Sequence, residues 1–174
     1  FIYGYSSALI LFAQYMKENN ISYNAKAVIT TGDNLQKKER KLIESRFGCK
    51  VFDGYGCGGE GLNIAAQCEK GNYHINDELL IVEGDKNNEI IITSLNNYEM
   101  PLIRYKPSDL ISISKNNCSC KRNLSIIDSL NGRADDVIKT RNGSKLILHF
   151  FTALFEYLEG VDQFQVIQKN SSPA

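Results

Sequence analysis

The chain has 174 residues, 43% hydrophobic and 23% charged, a mix that suits a globular protein able to bury its own core. Its 20 basic and 20 acidic residues cancel, which argues against a nucleic-acid partner, because such partners select a basic excess. No apolar run reaches the length of a membrane span, and the apolar stretch Phe1 to Phe12 has neither a basic leader nor a cleavage pattern, so neither membrane nor export is expected.

In residues 6 to 19, Leu9, Phe12, Ala13 and Met16 recur on one helical face, with Ser6 or Ser7 as cap and Asn19-Asn20 as stop. Residues 26 to 31 are apolar and β-branched, the signature of a buried strand. Asp33 or Asn34 is expected to cap a second helix reaching Phe47, with Leu35, Leu42, Ile43 and Phe47 inward and Lys37 to Lys41 as a solvated charged face. Gly48 suits the left-handed stop, and Cys49 to Asp53 form the next strand. Strand, helix, strand over this span makes a βαβ unit with parallel strands.

Beyond residue 60 the pattern turns antiparallel. Glu78 to Glu83 and Glu89 to Thr93 flank a polar turn, and residues 109 to 114 alternate like a half-buried strand. Val137 to Thr140 and Lys145 to Leu148 flank Asn142-Gly143, a tight-hairpin signal. Phe150 to Leu158 reads as a helix and Gln163 to Gln168 as a strand. The expected organisation is an α/β part over 1–60, a β part over 61–131, and the start of a small α+β part over 132–174.

Three stretches call for more than packing. Asp53-Gly54-Tyr55-Gly56-Cys57-Gly58-Gly59-Glu60-Gly61 follows a parallel strand, where open α/β sheets gather ligands. It suits either a ligand loop, with Tyr55 stacking on a base and Glu60 meeting a cation, or a plain connector. In Pro101 to Asp109, Arg104 and Asp109 suit a phosphate and a sugar diol, or else an ion pair at a strand end. Gly132-Arg133-Ala134-Asp135-Asp136 before the hairpin suits a hinge or a solvated turn.

In this order the stretches resemble the adenylate-forming superfamily of acyl- and aryl-CoA synthetases. The nearest branch is the phenylacetate-CoA ligase group and, within it, the CapK-type proteins of capsular polysaccharide biosynthesis. Ile29-Thr30-Thr31-Gly32-Asp33-Asn34-Leu35 is similar to that family's T-T-G-E loop, with Asp33 in place of Glu. Tyr55-Gly56 to Glu60 is similar to Y-G-x-x-E, with Gly59 at the usual acid position and Glu60 one residue later. Arg104-Tyr105-x-x-Ser108-Asp109 is similar to R-Y-x-x-G-D with Ser108 for Gly, and Gly132-Arg133-x-Asp135-x-x-Ile138-Lys139 matches G-R-x-D-x-x-I-K throughout. The likeness runs from about residue 3 to 169.

The resemblance implies a partial adenylate-forming fold, combining the end of a parallel α/β sheet, a β subdomain and the start of a small α+β domain. It implies a cytoplasmic, ATP-dependent ligase that activates a small-molecule carboxylic acid as an acyl adenylate, then transfers it to CoA or another nucleophile. Gly32, Asp53, Tyr55, Gly56, Asp109 and Arg133 would face ATP or AMP. Glu60 would act in catalysis through Mg²⁺, and Asp135 would be the hinge. The family's Ser/Thr/Gly-rich phosphate loop and C-terminal catalytic lysine have no counterpart among the 174 residues. The expectation is therefore a fragment, inactive alone, whose partner is the remainder of its own enzyme. A non-catalytic, zinc-stabilised domain that binds nucleotide or a partner protein is the alternative.

Five cysteines, an odd number, do not suggest a secreted disulfide framework. Cys68, His74, Cys118 and Cys120 offer three thiolates and an imidazole, a set that suits tetrahedral Zn²⁺. Without the C-x₂-C knuckle, spacing leaves zinc and four unrelated side chains both open. Some members of the phenylacetate-CoA ligase branch carry cysteines and a histidine at matching positions and bind zinc there, so the resemblance implies structural zinc here. Cys49 reads as a small core residue, and His149 as structural.

Overall fold

The computed structural model describes residues 1–57, 61–114, 116–134, 138–140, 142, 144–146, 151, 154, 155, 161 and 164–168. The chain opens with β1 (Ile2–Tyr5), α1 (Ser6–Glu18), β2 (Val28–Thr31), α2 (Lys37–Phe47) and β3 (Val51–Cys57). β1, β2 and β3 pair in parallel. Six strands follow: β4 (Leu62–Gln67), β5 (Tyr73–Ile75), β6 (Leu80–Gly84), β7 (Ile90–Ser94), β8 (Asp109–Ile113) and β9 (Ile126–Arg133). A short hairpin, β10 (Ile138–Lys139) and β11 (Lys145–Leu146), lies beyond them.

One seven-stranded sheet runs β1-β2-β3-β4-β5-β9-β8, and β6-β7 forms a separate hairpin. The sheet changes from parallel to antiparallel at β3, where β4 folds back with a register shift between Tyr55 and Gly56. Two cores form. Leu9, Ala13 and Met16 of α1 and Ile43 and Phe47 of α2 close over Val28 and Val51. Ile64, Ile75, Ile111 and Ile127 of the antiparallel strands close against Leu80, Ile90 and Ile92 of the hairpin.

The βαβ unit, the β6-β7 hairpin and the β10-β11 pairing agree with the sequence patterns, but the helix caps differ. Gln36, not Asp33 or Asn34, caps α2 in a reciprocal box with Glu39, whose carboxylate accepts the Gln36 N–H at 3.0 Å. α1 has no side-chain cap of its own; the Ser6 hydroxyl donates to the Asp33 carbonyl, and the Asp33 carboxylate accepts from the Ser7 N–H at 3.3 Å. Phe12 is half exposed at the rim, its ring centroid 5.9 Å from that of Phe47, because the small Ala13 lets the helices approach beside it. Arg40 leaves the solvated face and donates to the Val51 carbonyl and, at 2.7 Å, to Gln67 Oε1.

β1, β4, β5 and β9 add to the strands legible in the pattern. Residues 164–168 are not in a strand: no ladder partner reaches them among the described residues, and their side chains are exposed. In the expected last helix, Phe151, Leu154 and Phe155 are helical, and His149 lies outside the described residues. Among the described residues no helix is long and apolar enough to cross a membrane.

Candidate functional site

The parallel pairing of β2 with β3 ends at Thr30 and Asp53; β2 then turns through Gly32, while Gly54 to Cys57, expected as a loop, continue β3 and pair with β4. A crevice of about 260 Å³ opens at these strand ends, and Gly32, Asp53, Tyr55, Gly56, Asp109 and Arg133 all line it. Asp109, the first residue of β8, pairs in register with Arg133, the last of β9, which brings both to the mouth. The Tyr55 hydroxyl donates to Asp109 Oδ2 at 2.7 Å, and Arg133 Nε stands 3.9 Å from Asp109 Oδ1. Burial, then the Asp109 carboxylate, pushes the Tyr55 phenol far above its usual range, so it remains a donor. The crevice thus offers an aromatic ring, a half-buried carboxylate and an exposed guanidinium, which suit a base, a diol and a phosphate in turn.

Local backbone explains part of the motif pattern. Gly32 has φ +87°, and a side chain there would run into the Tyr5 ring. Ser108, at a position where the resembled motif has Gly, holds φ +67°, and its carbonyl accepts the Ala134 N–H at 2.6 Å. Arg104 does not face the crevice; it pairs with Glu83 at 2.6 Å on the exposed hairpin, so the phosphate-binding alternative for it is set aside. Glu60 and Asp135 lie outside the described residues.

The floor is Asp53, which the sequence reading named, braced by Tyr73, which it missed. Asp53 is 6% exposed; its carboxylate accepts from Thr30 Oγ1 at 2.5 Å and from the Tyr73 hydroxyl. Burial, then Asp53, raises the Tyr73 phenol as well. The one available signal for Tyr73 was its place beside His74, since neighbouring strand residues face opposite ways.

Cys68 follows β4, His74 lies on β5, and Cys118 and Cys120 sit in the turn between β8 and β9. Their ligand atoms all lie within 4.8 Å of one another. Cys68 Sγ and Cys118 Sγ are 3.8 Å apart, and Cys120 Sγ is 3.2 Å from His74 Nε2. Two thiolates at ~2.3 Å from a tetrahedral zinc stand ~3.8 Å apart, so the donor set fits that ion. N–H groups of Cys120 and Lys70 and the Asn72 amide point at the sulfurs. The Cys120 N–H, then Asn72, lowers the Cys118 thiol to about 7, while burial raises that of Cys68. Cys49 is half-buried beside the helix–sheet core, and burial raises its thiol.

No protein-family model matches the chain. Indoleacetate–lysine synthetase of Pseudomonas savastanoi is 29% identical over 117 residues, which is 64% of this chain and 29% of that protein. Protein CapK of Staphylococcus aureus is 28% identical over 116 residues, 63% of this chain and 26% of that protein. A 2-hydroxyisobutyryl-CoA ligase structure in its postadenylation state superposes with a TM-score of 0.76 at 21% identity, over 91% of this chain and 37% of that one. The chain has part of the fold of an adenylate-forming ligase. Coronafacic acid ligase of Pectobacterium brasiliense shares this ligase fold, with a TM-score of 0.61 at 17% identity over 90% of this chain and 34% of that one. The matched chain spans between a quarter and a third of the length of its curated relatives.

Proposed function

We propose that this chain is the nucleotide-facing part of a cytoplasmic, ATP-dependent ligase that activates a small-molecule carboxylic acid. In the reaction a carboxylate oxygen attacks the α-phosphorus of ATP, and the bond to the bridging oxygen breaks. Acyl adenylate and pyrophosphate result, and the acyl group then passes to CoA or another nucleophile. The observation that carries this reading is the gathering of Gly32, Asp53, Tyr55, Gly56, Asp109 and Arg133 on one crevice at the carboxyl ends of parallel strands. Asp109 accepts the ribose hydroxyls, displacing the Tyr55 hydroxyl; the Tyr55 ring stacks on adenine; Arg133 meets phosphate. An adjoining groove of about 500 Å³, lined by Tyr3, Tyr5, Ile29 and Phe52, shares Gly32, Gly54 and Gly56 with the crevice and suits the acyl part.

Glu60 is assigned to Mg²⁺, which would supply charge neutralisation at the phosphates, and Asp135 to the hinge. Cys68, His74, Cys118 and Cys120 would hold one structural Zn²⁺, a closed four-ligand set with no position for water. The parts 1–60, 61–131 and 132–174 serve as sheet end, β subdomain and start of the mobile small domain. Calorimetry with AMP on the wild type and Asp109→Ala tests the reading. Measurable wild-type binding that the variant loses supports it; equal affinities remove Asp109 from the site. Pyrophosphate exchange by these 174 residues alone is expected at background, since they contain no phosphate loop.

A further inference from the structure

We infer that β5 couples the Cys/His cluster to the crevice, with Tyr73 as the positioning residue that carries the cluster's occupancy to Asp53. The inference rests on reading the cluster as a metal site and the crevice as a nucleotide site. β5 has only three residues, and two of them serve different sites on opposite faces of the sheet. His74, 4% exposed, faces the three sulfurs. Tyr73 faces the other way, lines the crevice and donates to Asp53. Asp53 in turn is two residues before Tyr55, which reaches Asp109. The path from ion to ribose-facing carboxylate therefore runs through side-chain hydrogen bonds and two short strands.

The geometry also says why occupancy matters. Around the cluster the only buried aliphatic side chain among the described residues is Ile126, and the rest of that corner is Cys68 and Cys118, with Cys120 against them. Little apolar burial fixes the corner when the sulfurs are not bound to an ion. His74 Nδ1 is buried without a hydrogen-bond partner among the described residues, so the contact that orients its ring is on the Nε2 side. β5 pairs with β4 through Ala65, Ala66 and Gln67, and with β9 through Ile126 and Ile127. A strand this short moves as a unit, and displacement of His74 displaces Tyr73. Gln67 is tied to the same place from β4, since its Oε1 accepts from the Asp53 N–H at 3.1 Å.

Hydrogen exchange on the full 174-residue chain, with zinc alone as the probe, tests the coupling. Chelation should speed exchange in residues 51–57 about tenfold while residues 37–47 of α2 keep their protection. In Tyr73→Phe, residues 51–57 should exchange fast even with zinc bound, and chelation should add less than about twofold. Asp53→Asn retains an acceptor for the Tyr73 hydroxyl and should keep the wild-type response to zinc. Chelation should also weaken AMP binding roughly fivefold in the wild type and leave Tyr73→Phe unchanged. Loosening of residues 73–75 with residues 51–57 still protected overturns the inference. So does a Tyr73→Phe response equal to that of the wild type, or failure to bind zinc. A chain that binds zinc, shows the exchange response and takes no AMP supports the strand coupling and rejects the nucleotide reading alone.

Discussion

Residues 1–57 bury their core between two helices and one face of a parallel sheet, with Met16, Ile43 and Phe47 each at most 1% exposed. Residues 62–133 bury an isoleucine-rich core between antiparallel strands and a hairpin, but leave one corner to Cys68, Cys118 and Ile126. The first region holds itself together by apolar burial throughout. The second does so only on its hairpin side; at its far corner polarizable sulfurs stand where large aliphatic side chains would otherwise pack. Where burial is thin, a cross-link or an ion has to substitute for it. The crevice proposed to take the nucleotide lies where the two regions join along β3 and β4, so on the proposed coupling its floor inherits rigidity from one side and dependence on the cluster from the other.

The largest expected effect is on the apolar side. Phe47→Ala should cost about 3–5 kcal/mol of unfolding free energy by cavity formation, read from denaturant midpoints. A loss below about 1 kcal/mol would mean that the α/β region is not held by this core.

Metal should matter only in the other region. Free zinc at about 100 times its dissociation constant should stabilise the chain by ~2.7 kcal/mol, and Cys118→Ser should remove most of that gain. Because ligand thiols must lose their protons, zinc affinity should fall as pH drops through about 7, where the Cys118 thiol titrates. Stabilisation of the wild type that survives in Cys118→Ser would break the contrast between the regions.

At the junction, Asp109→Ala should weaken AMP binding at least about tenfold, since a hydrogen bond to a charged group contributes ~1.5–3 kcal/mol. The same variant should leave zinc affinity unchanged, which calorimetry with each ligand in turn checks.

The smallest effect is at the turn of the β6-β7 hairpin. Lys106, then backbone N–H groups, holds the Asp85 carboxyl down at about 2, below its ordinary 3.8. A depressed folded-state pKa gives stability that is present above 3.8 and lost as pH falls through 2. Asp85→Asn should therefore narrow the stability difference between neutral and acid pH slightly, as followed by thermal melts over that window. A large effect would mean that this ion pair at the hairpin's turn does more than a solvent-screened surface contact should.

The sequence by itself determined the local pieces: the β2-α2-β3 unit, the β6-β7 hairpin, the Gly48 stop at φ +58°, and the residue types of both sites. Periodicity and turn chemistry act over a few residues and can be read without knowing the fold. Caps were less legible, because Gln36 competes with Asp33 and Asn34 and only the path of the loop chooses; Asp33 instead serves α1, 26 positions away. β5 and β9 gave no clear pattern, since short strands buried in a sheet take their stability from neighbours and not from their own propensity. The tertiary structure alone decided that Tyr55 meets Asp109 across 54 positions, that four separated ligand atoms converge within 4.8 Å, and that Tyr73 braces Asp53. Those pairings follow from the strand order β3-β4-β5-β9-β8, which is fixed by burying two cores at once and is written in no single segment of the chain.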